Sequence, residues 1–509
     1  MSALARQGAR VAKSRLSAAT SIAARPHHRP RANAHANAFR FEADELTRSS
    51  LSSTSRTRTQ TQTRSVLSEQ DADPVQAEKE TESVTRLERL LKVSEKLAQE
   101  SGPEAVPLSM KGLGVYSKDG ARMDGAHDDN VDPTGKLEPL PTERTMKDSF
   151  CRMDLVFSED DALREEFVGS YSKVRMGALL EKFDWLAGSS AYQHVLPKGV
   201  SVADASKYGF YLVTAAVERM DMLGTLYNPD GSVPDLRLAA HVAYATESSL
   251  EVFVRLSTIT ASPLESRTIL IGRFTMVCRS SKGGKHAVPR LVVEGPEEAE
   301  MFEMGRELRD TKKKRASRSL ERVQPTAEEA GMMHDLFLRH APLYDRKTAT
   351  PAHIVFMAES RVRSANLMHP QYRNLHNKVF GGKLMSLAYE TAYSTACLFA
   401  RSPVTFVALD ELQFSQPVEV GSLLVLDSRV TFSPMTGEHK SFHVSVEAAT
   451  VELHTGEKRI TNTFHFTFSA DRALERTVLL RTYRQAMQWI EAQRRRAVGI
   501  EVRKTYQSP

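Results

Sequence analysis

Apolar residues recur at helical spacing in two stretches of this chain, and a polar, glycine-containing loop precedes each stretch. In the first, residues 178–188 place Leu, Phe and Ala every three or four positions, which predicts a helix. In the second, the Asn-rich loop 373–380 leads to Gly381 and Gly382, and small and apolar residues follow. A helix is predicted to begin at this glycine pair, where the backbone can approach a ligand closely and the first N–H groups of the helix are unpaired.

Segments rich in Val, Thr, Phe and Tyr follow the first predicted helix, with turn residues between them. These predicted strands are 211–220, 236–246, 250–258 and 269–279. One long helix followed by several long strands is typical of an α+β unit and not of alternating β–α repeats. The pattern therefore predicts the α+β class.

The second helix and its flanking segments repeat the first. Gly177 and Gly382 stand at the start of matching helices and lie 205 residues apart, whereas segments 249–255 and 441–447 match at 192 residues. The smaller offset predicts an insertion of 13 residues in a surface loop of the first copy. A repeat of this size predicts two like units packed face to face as an intrachain pseudo-dimer.

Each copy carries a polar residue where the other copy carries none. Asp184 in the first helix corresponds to Tyr389 in the second, and Asn374 before the second helix corresponds to Gly169 before the first. Asp184 lies at the border of an apolar helix face, where a carboxylate loses solvation. Its presence there indicates a hydrogen-bond or charge partner, or a functional role. If the units pair about a pseudo-twofold axis, Asn374 meets Asp184 in one complete site and the other site is degenerate. A structural salt bridge or a cap is the alternative role for Asp184.

The helical projection assigns two neighbouring positions of the repeat to the outer helix faces. Trp185 and Glu390 both lie opposite the apolar stripe of their helix. Glu390 is therefore predicted to be structural, although it directly follows Tyr389.

The remaining sequence divides around the two units. Residues 1–65 are rich in Arg and Ser and contain no acidic residue before Glu42, which is typical of a mitochondrial transit peptide; a disordered basic tail is the alternative. Residues 66–147 are acidic and polar and predict a mobile leader with a short helix. The predicted divisions that follow are the first unit, 148–285; a helical connection, 286–345, with a capping box at Thr326; the second unit, 346–472; and a basic C-terminal helix, 473–509.

Composition excludes several classes of function. The chain has 509 residues, too many for one core, and its net charge of +6 is concentrated in short segments, so it does not indicate a nucleic-acid partner. The three cysteines, Cys151, Cys278 and Cys397, are far apart, which argues against disulfides and a cysteine zinc site. No segment approaches the roughly 18–20 apolar residues of a membrane span. We therefore expect a soluble protein without metal, cofactor or integral membrane association.

Segments 374–382, 175–184 and 412–421 carry a resemblance to a known family. Over about residues 148–470 the chain resembles acyl-CoA thioesterases of the double-hotdog type, in the mitochondrial acyl-CoA thioesterase 9-like group. The resemblance implies two tandem hotdog domains, each a long central helix wrapped by a curved antiparallel sheet, with the CoA thioester bound between them. It also implies that a helix carboxylate and an Asn of the partner loop act together, here Asp184 and Asn374, in the reverse unit order to some relatives.

The predicted function is hydrolysis of fatty acyl-CoA to fatty acid and CoA in the mitochondrial matrix. Asp184 is expected to act as general base on a water, Asn374 to orient that water or the thioester, and the N–H of Gly382 to polarise the carbonyl. The residues expected to contact the substrate are His376, Gly381 and Gly177. His376 has an alternative role as a hydrogen-bonding residue of its loop. The expected partner is acyl-CoA, and a trimer of double hotdogs is the expected form of any homo-oligomer.

Three other functions are compatible with these residues. A hotdog enoyl-CoA hydratase or dehydratase needs a His–acid pair, which His376 and Asp184 can supply. A non-catalytic module would bind acyl-CoA without turnover. A structural role in an assembly is the third alternative, but it leaves the complementary polar differences between the copies unexplained.

Overall fold

The computed structural model of the chain describes part of the sequence. The described residues are 91–100, 137–169, 173–260, 266–317, 319–320, 322–344, 349–374, 376–434 and 439–507. The predicted transit peptide, residues 1–65, lies outside the described residues, as does much of the predicted leader.

The first half of the fold is a central helix enclosed by antiparallel strands. Its helices are α1 (91–100), α2 (Asp161–Phe167) and α3 (Met176–Val195). Its strands are β1 (Glu143–Thr145), β2 (Cys151–Leu155), β3 (Phe210–Val217), β4 (Met220–Met222), β5 (Leu236–Ala245), β6 (Ser249–Thr258), β7 (Thr268–Ser280) and β8 (Arg290–Val292). Helix α3 packs against β2, β3, β5, β6 and β7. The predicted helix and the predicted strands 236–246, 250–258 and 269–279 are confirmed, whereas the predicted strand 211–220 is divided between β3 and β4.

The described part of the connection between the halves contains the helices α4 (Pro296–Ser317), α5 (Ala327–Arg339) and α6 (Ala341–Tyr344). The predicted capping box opens α5. The hydroxyl of Thr326 accepts from the N–H of Glu329 at 3.2 Å, and the Glu329 carboxylate accepts from the N–H of Thr326 at 2.9 Å. Helix α4 packs against β5.

The second half repeats the first. Its helices are α7 (Gly381–Ala400) and the C-terminal α8 (Tyr483–Gln507). Its strands are β9 (Ile354–Phe356), β10 (Val362–Leu367), β11 (Val404–Leu409), β12 (Leu412–Gln413), β13 (Leu423–Phe432), β14 (Ser441–Val451), β15 (Lys458–Ala470) and β16 (Thr477–Leu479). Helix α7 packs against β10, β11, β13, β14 and β15, and α8 packs against β13.

The strands of both halves form one sheet in the described chain, in the order β10-β13-β14-β15-β11-β4-β7-β6-β5-β2. The antiparallel pair β4–β11 joins the halves, with Ala408 opposite Asp221 and Leu409 opposite Met220. Strand β12 pairs with β3, and helices α3 and α7 pack against each other. The predicted α+β class is confirmed.

The insertion lies between α3 and β3. Helix α3 ends at Val195 and β3 begins at Phe210, and a 3₁₀ helix, Val202–Tyr208, occupies the interval. In the second half only three residues separate the end of α7 at Ala400 from the start of β11 at Val404. The longer connection carries the extra residues of the first copy.

The predicted outward direction of Trp185 is wrong. Its side chain is buried with 9% exposure. The strands enclose α3 on one side and α7 covers another, so this helix is buried on nearly all sides and a two-face projection does not describe it. Glu390, by contrast, is exposed as predicted.

The predicted mobile leader is also corrected where the structure describes it. Val93 and Leu97, one turn apart on α1, are each 2% exposed and belong to the hydrophobic core. Glu95 on the same helix lies 3.1 Å from the guanidinium of buried Arg255. Apolar burial and an ion pair therefore hold this short helix on the first half.

None of the helices in the described ranges is long and apolar enough to cross a membrane. In the same ranges, no group of three or more His, Cys, Asp or Glu side chains is arranged to hold a metal ion.

Candidate active site

Asp184 lies where α3, β3 and α7 meet. Its side chain is 1% exposed. One carboxylate oxygen, Oδ2, accepts a 2.6 Å hydrogen bond from the backbone N–H of Gly382, and Oδ1 accepts a 2.8 Å hydrogen bond from the hydroxyl of Thr214. The partner that the sequence required for this buried carboxylate is thus a pair of donors, one from each half of the fold.

Burial raises the pKa of the Asp184 carboxyl to about 6, and the hydrogen bonds from Thr214 and Gly382 act in the opposite direction. A carboxylate with this pKa is mostly ionised at neutral pH and is more basic than an ordinary aspartate. It is suited to accept a proton from a water molecule near physiological pH.

The glycine pair at the start of α7 allows the two helices to approach closely. A Cβ on Gly381 would stand 3.0 Å from Oδ2 of Asp184 and 3.2 Å from the ring of Phe414. A Cβ on Gly382 would stand 2.9 Å from the Cα of Glu181 on α3. Neither position has room for a side chain. Glycine at both positions therefore lets the backbone of α7 approach α3 and the Asp184 carboxylate.

The predicted role of the Gly382 N–H needs correction. This group donates to Asp184 and is not open for a thioester carbonyl. The next two N–H groups, of Lys383 and Leu384, donate to the carbonyl of Phe380 at 3.1 and 3.3 Å. The N–H of Gly381 donates to none of the described residues, which makes it the available donor of the first turn.

Asn374 organises its own loop. Its Oδ1 accepts from the backbone N–H groups of His376 at 2.9 Å and Lys378 at 3.1 Å, and its own N–H donates to the carbonyl of Lys378 at 2.7 Å. Asn377 adopts the left-handed conformation, with φ of 58°, that closes the turn. Within the described residues the Asn374 amide nitrogen has no acceptor, and Asn374 shares no hydrogen bond with Asp184.

His376 lies against the first half and not against the acid. Its Nε2 is 3.3 Å from the hydroxyl of Tyr192 on α3, and its ring is 4.6 Å from that of Tyr211 on β3. Burial lowers the pKa of the imidazole, and a hydrogen bond with the Leu212 backbone opposes the effect. Both oxygens of Asp184 have other donors, so the described residues do not form the His–acid pair that a hydratase needs.

The corresponding position in the second half contains aromatic residues. Tyr389 is 7% exposed, and its ring centroid lies 5.7, 5.9 and 6.0 Å from those of Phe406, Phe466 and Phe468. Thr214 corresponds to Phe406, since each residue directly precedes the bulge of its strand. The acid and its hydroxyl donor are therefore both replaced by aromatic side chains.

Gly177 belongs to this second position. It is buried, and a Cβ there would stand 2.9 Å from the hydroxyl of Ser386 on α7. Gly177 thus mirrors Gly382 as a close-packing residue of the helix pair, and the predicted substrate contact is not supported.

Sequence reasoning missed two residues of the site, Thr214 and Tyr192. The repeat comparison could have identified both. The offset of 192 residues aligns Thr214 with Phe406, and the offset of 205 residues aligns Tyr192 with Cys397. A hydroxyl that replaces an apolar or thiol group in only one copy is the same signal that identified Asp184.

Comparison with known proteins assigns the family. Acyl-coenzyme A thioesterase 9, mitochondrial, of Bos taurus is 34% identical over 355 residues, which cover 69% of this chain and 78% of the relative. Acyl-coenzyme A thioesterase 10, mitochondrial, of Mus musculus is 31% identical over 370 residues, covering 70% and 80%. No protein-family model matches the chain.

Among solved structures, an acyl-CoA hydrolase from Staphylococcus aureus in complex with butyryl coenzyme A is 24% identical and has a TM-score of 0.28. The match covers 30% of this chain and 96% of that one. The assignment depends on the two curated relatives, which are similar over most of their length. This chain belongs to the family of acyl-coenzyme A thioesterases, in the group of the mitochondrial thioesterases 9 and 10.

Proposed function

We propose that this chain hydrolyses fatty acyl-coenzyme A thioesters to free fatty acid and coenzyme A, with Asp184 as the general base. Membership of the family makes the chain an acyl-CoA thioester hydrolase. The observation that carries the residue assignment is the buried Asp184 carboxylate, held by one donor from each half.

In the proposed reaction, Asp184 removes a proton from a water molecule as the water oxygen bonds to the thioester carbon. The carbonyl becomes a tetrahedral oxyanion, and its collapse breaks the C–S bond. The leaving thiolate of coenzyme A takes the proton back from Asp184, so the carboxylate is regenerated with the fatty acid. A positioned base of this kind contributes roughly 10²–10⁴-fold to the rate.

The oxyanion is assigned to the N-terminus of α7. The N–H of Gly381 has no acceptor among the described residues, and the positive end of the helix dipole lies behind it. One preorganised donor is typically worth about 3–4 kcal/mol of barrier. The Asn374 amide nitrogen, which also lacks an acceptor among those residues, is the proposed donor that orients the water or the thioester.

We assign the acyl chain to the space beside Gly188. This residue lies one turn after Asp184 on α3 and is half-buried, whereas its neighbours Ala187 and Ser189 are buried. A Cβ at this position would meet nothing within 4 Å. A larger side chain here, as in Gly188→Leu, is expected to shorten the longest acyl chain that is hydrolysed.

The two halves are proposed to be tandem hotdog domains in an intrachain pseudo-dimer with one active site. Support comes from the enclosure of α3 and α7 by separate sets of strands and from the aromatic residues around Tyr389. The named relatives are mitochondrial proteins, and we propose that this chain acts in the matrix. Trimers of such double units are the proposed assembly.

The function is tested by following thiol release from acyl-CoA substrates of increasing chain length. The proposal expects turnover of saturated fatty acyl-CoA and a loss of roughly a hundredfold or more in Asp184→Ala. Hydration of an enoyl-CoA without thiol release would support the hydratase alternative. Binding of acyl-CoA with neither thiol release nor hydration would support a non-catalytic binding module.

A further inference from the structure

A continuous set of contacts links the Asn374 loop of the second half to α3 of the first. The backbone N–H of His376 donates to Asn374 Oδ1 at 2.9 Å, and Nε2 of His376 lies 3.3 Å from the hydroxyl of Tyr192. That hydroxyl accepts a 3.1 Å hydrogen bond from the N–H of Leu212 on β3. Tyr192 is 3% exposed, and its bond with Leu212 is buried, whereas His376 and Asn374 are half-buried.

The direction of these hydrogen bonds follows from their partners. The Tyr192 oxygen already accepts from Leu212, and burial keeps the hydroxyl protonated by raising its pKa to about 12. Its own proton is therefore free to be donated to Nε2 of His376. Burial lowers the pKa of His376, which favours the neutral imidazole. In the tautomer that carries the proton on Nδ1, Nε2 is the acceptor for the Tyr192 proton.

The same elements position the base. Thr214 on β3 donates to Asp184, and two residues earlier Leu212 donates to Tyr192. Asp184 and Tyr192 are two turns apart on α3. The contact between α3 and β3 thus positions both the Asp184 carboxylate and the Tyr192 hydroxyl, which contacts His376.

We propose that Tyr192 and His376 form a positioning pair, which fixes the Asn374 loop of one half on the other half beside Asp184. This inference rests on the proposed function, in which Asn374 orients the water or the thioester. His376 then acts through its loop and does not exchange a proton with substrate.

The repeat supports this assignment. Tyr192 corresponds to Cys397 in the second helix, and Tyr211 corresponds to Pro403. The hydroxyl and the aromatic ring that hold His376 are present only in the half that carries Asp184. A purely architectural contact of the pseudo-dimer would be expected at both symmetric positions.

The test compares variants that keep or remove the hydrogen bond. Tyr192→Phe keeps the ring and loses the hydroxyl, His376→Ala loses the imidazole, and His376→Gln retains an acceptor near the Nε2 position but has no titratable group. Tyr244→Phe, a buried tyrosine on β5, serves as the control for the substitution itself.

Positioning predicts about a tenfold loss of kcat in Tyr192→Phe and in His376→Ala, with a smaller change in KM. The kcat of the Tyr192→Phe/His376→Ala double variant should be about equal to that of either single variant, since both changes break the same interaction. His376→Gln should recover to within about threefold of the unmodified chain and keep its pH profile. Hydrogen exchange in peptides covering 373–380 should be faster in the two disruptive variants and unchanged in Tyr244→Phe.

Two results overturn the inference. Loss of roughly a hundredfold in His376→Gln together with loss of a limb of the pH profile would make His376 a proton-transfer group. Unchanged kcat and unchanged hydrogen exchange in a folded Tyr192→Phe would remove the pair. If the unmodified chain releases no thiol, the proposed function fails, whereas hydrogen exchange still measures the loop contact.

Discussion

The carboxylate of Asp184 on α3 accepts a 2.6 Å hydrogen bond from the backbone N–H of Gly382, 198 residues further along the chain. The bond joins the helix of one half to the first turn of the helix of the other. The acid is thereby held at a helix N-terminus, where the dipole favours negative charge. The close approach of the carboxylate also leaves no room for a side chain at Gly381, where a Cβ would stand 3.0 Å from Oδ2.

Asp184→Asn keeps the shape of the side chain and removes its basicity. We expect kcat to fall by roughly a hundredfold or more, because the amide cannot accept the proton of the water. The melting temperature at pH 7.5 should not fall, since the variant no longer buries a charge. Thiol release and thermal unfolding measure the two effects.

Glu390→Gln is the matched control for that variant. Glu390 is exposed on α7 and directly follows Tyr389, the counterpart of Asp184. Its kcat/KM should stay within about twofold of the unmodified chain. Equal activity of Asp184→Asn and Glu390→Gln would reject Asp184 as the base.

The activity is predicted to depend on pH with an acid limb near the pKa of Asp184, about 6. The base must be ionised, so kcat/KM should decrease as the pH falls through this value and level off above it. Burial raises the pKa in the folded state above 3.8, so this group lowers the free energy of unfolding as the pH rises from 3.8 to about 6. Initial rates between pH 5 and 9 test the limb, and a kcat/KM that stays constant over this range would contradict it.

Thr214→Val removes the hydroxyl that donates to Asp184 at 2.8 Å and keeps a similar volume. Because this hydrogen bond favours the ionised carboxylate, its loss should shift the acid limb to higher pH and lower kcat/KM at pH 7 about tenfold. Thr214→Ser should restore both. A limb that stays in place or shifts to lower pH would show that the hydroxyl does not act on the carboxylate.

Gly381→Ala should reduce kcat about tenfold to a hundredfold. Its Cβ would stand 3.0 Å from Asp184 Oδ2, so the carboxylate or the helix must move. Gly331→Ala on α5 is the control, because a Cβ there meets nothing within 4 Å. That variant should be fully active and more stable by up to about 1 kcal/mol. Full activity of Gly381→Ala would show that the site tolerates the shift.

Arg219→Met should destabilise the junction of the two halves by about 3–5 kcal/mol, because it removes the guanidinium that pairs with two buried carboxylates. Arg219 pairs with Asp221 at 2.7 Å and with Asp410 of the second half, and these acids are 4% and 2% exposed. Denaturant unfolding measures the loss. The exposed pair of Arg459 and Glu457 is the control, and Arg459→Met should leave the denaturant midpoint nearly unchanged, because water screens both charges. Equal effects of the two substitutions would contradict a buried charge pair.

Local sequence determined the helices and strands because each depends on neighbours a few residues away. Residues 178–188 and the glycine pair predicted α3 and α7, and β-branched and aromatic runs predicted β5, β6 and β7. Comparison of the two copies also selected Asp184. The matching position of the other copy is a tyrosine, and a carboxylate on an apolar helix face is unusual without a partner.

Only the tertiary structure decided what surrounds Asp184. The donors Thr214 and Gly382 lie 30 and 198 residues away along the chain, and the burial of Trp185 depends on α7 and the sheet together. His376 was open to two roles in the sequence, and its contacts with Tyr192 and Tyr211 support the positioning role. Residue type and spacing specify what a side chain can donate or accept, but the direction of each bond is set by packing between distant segments.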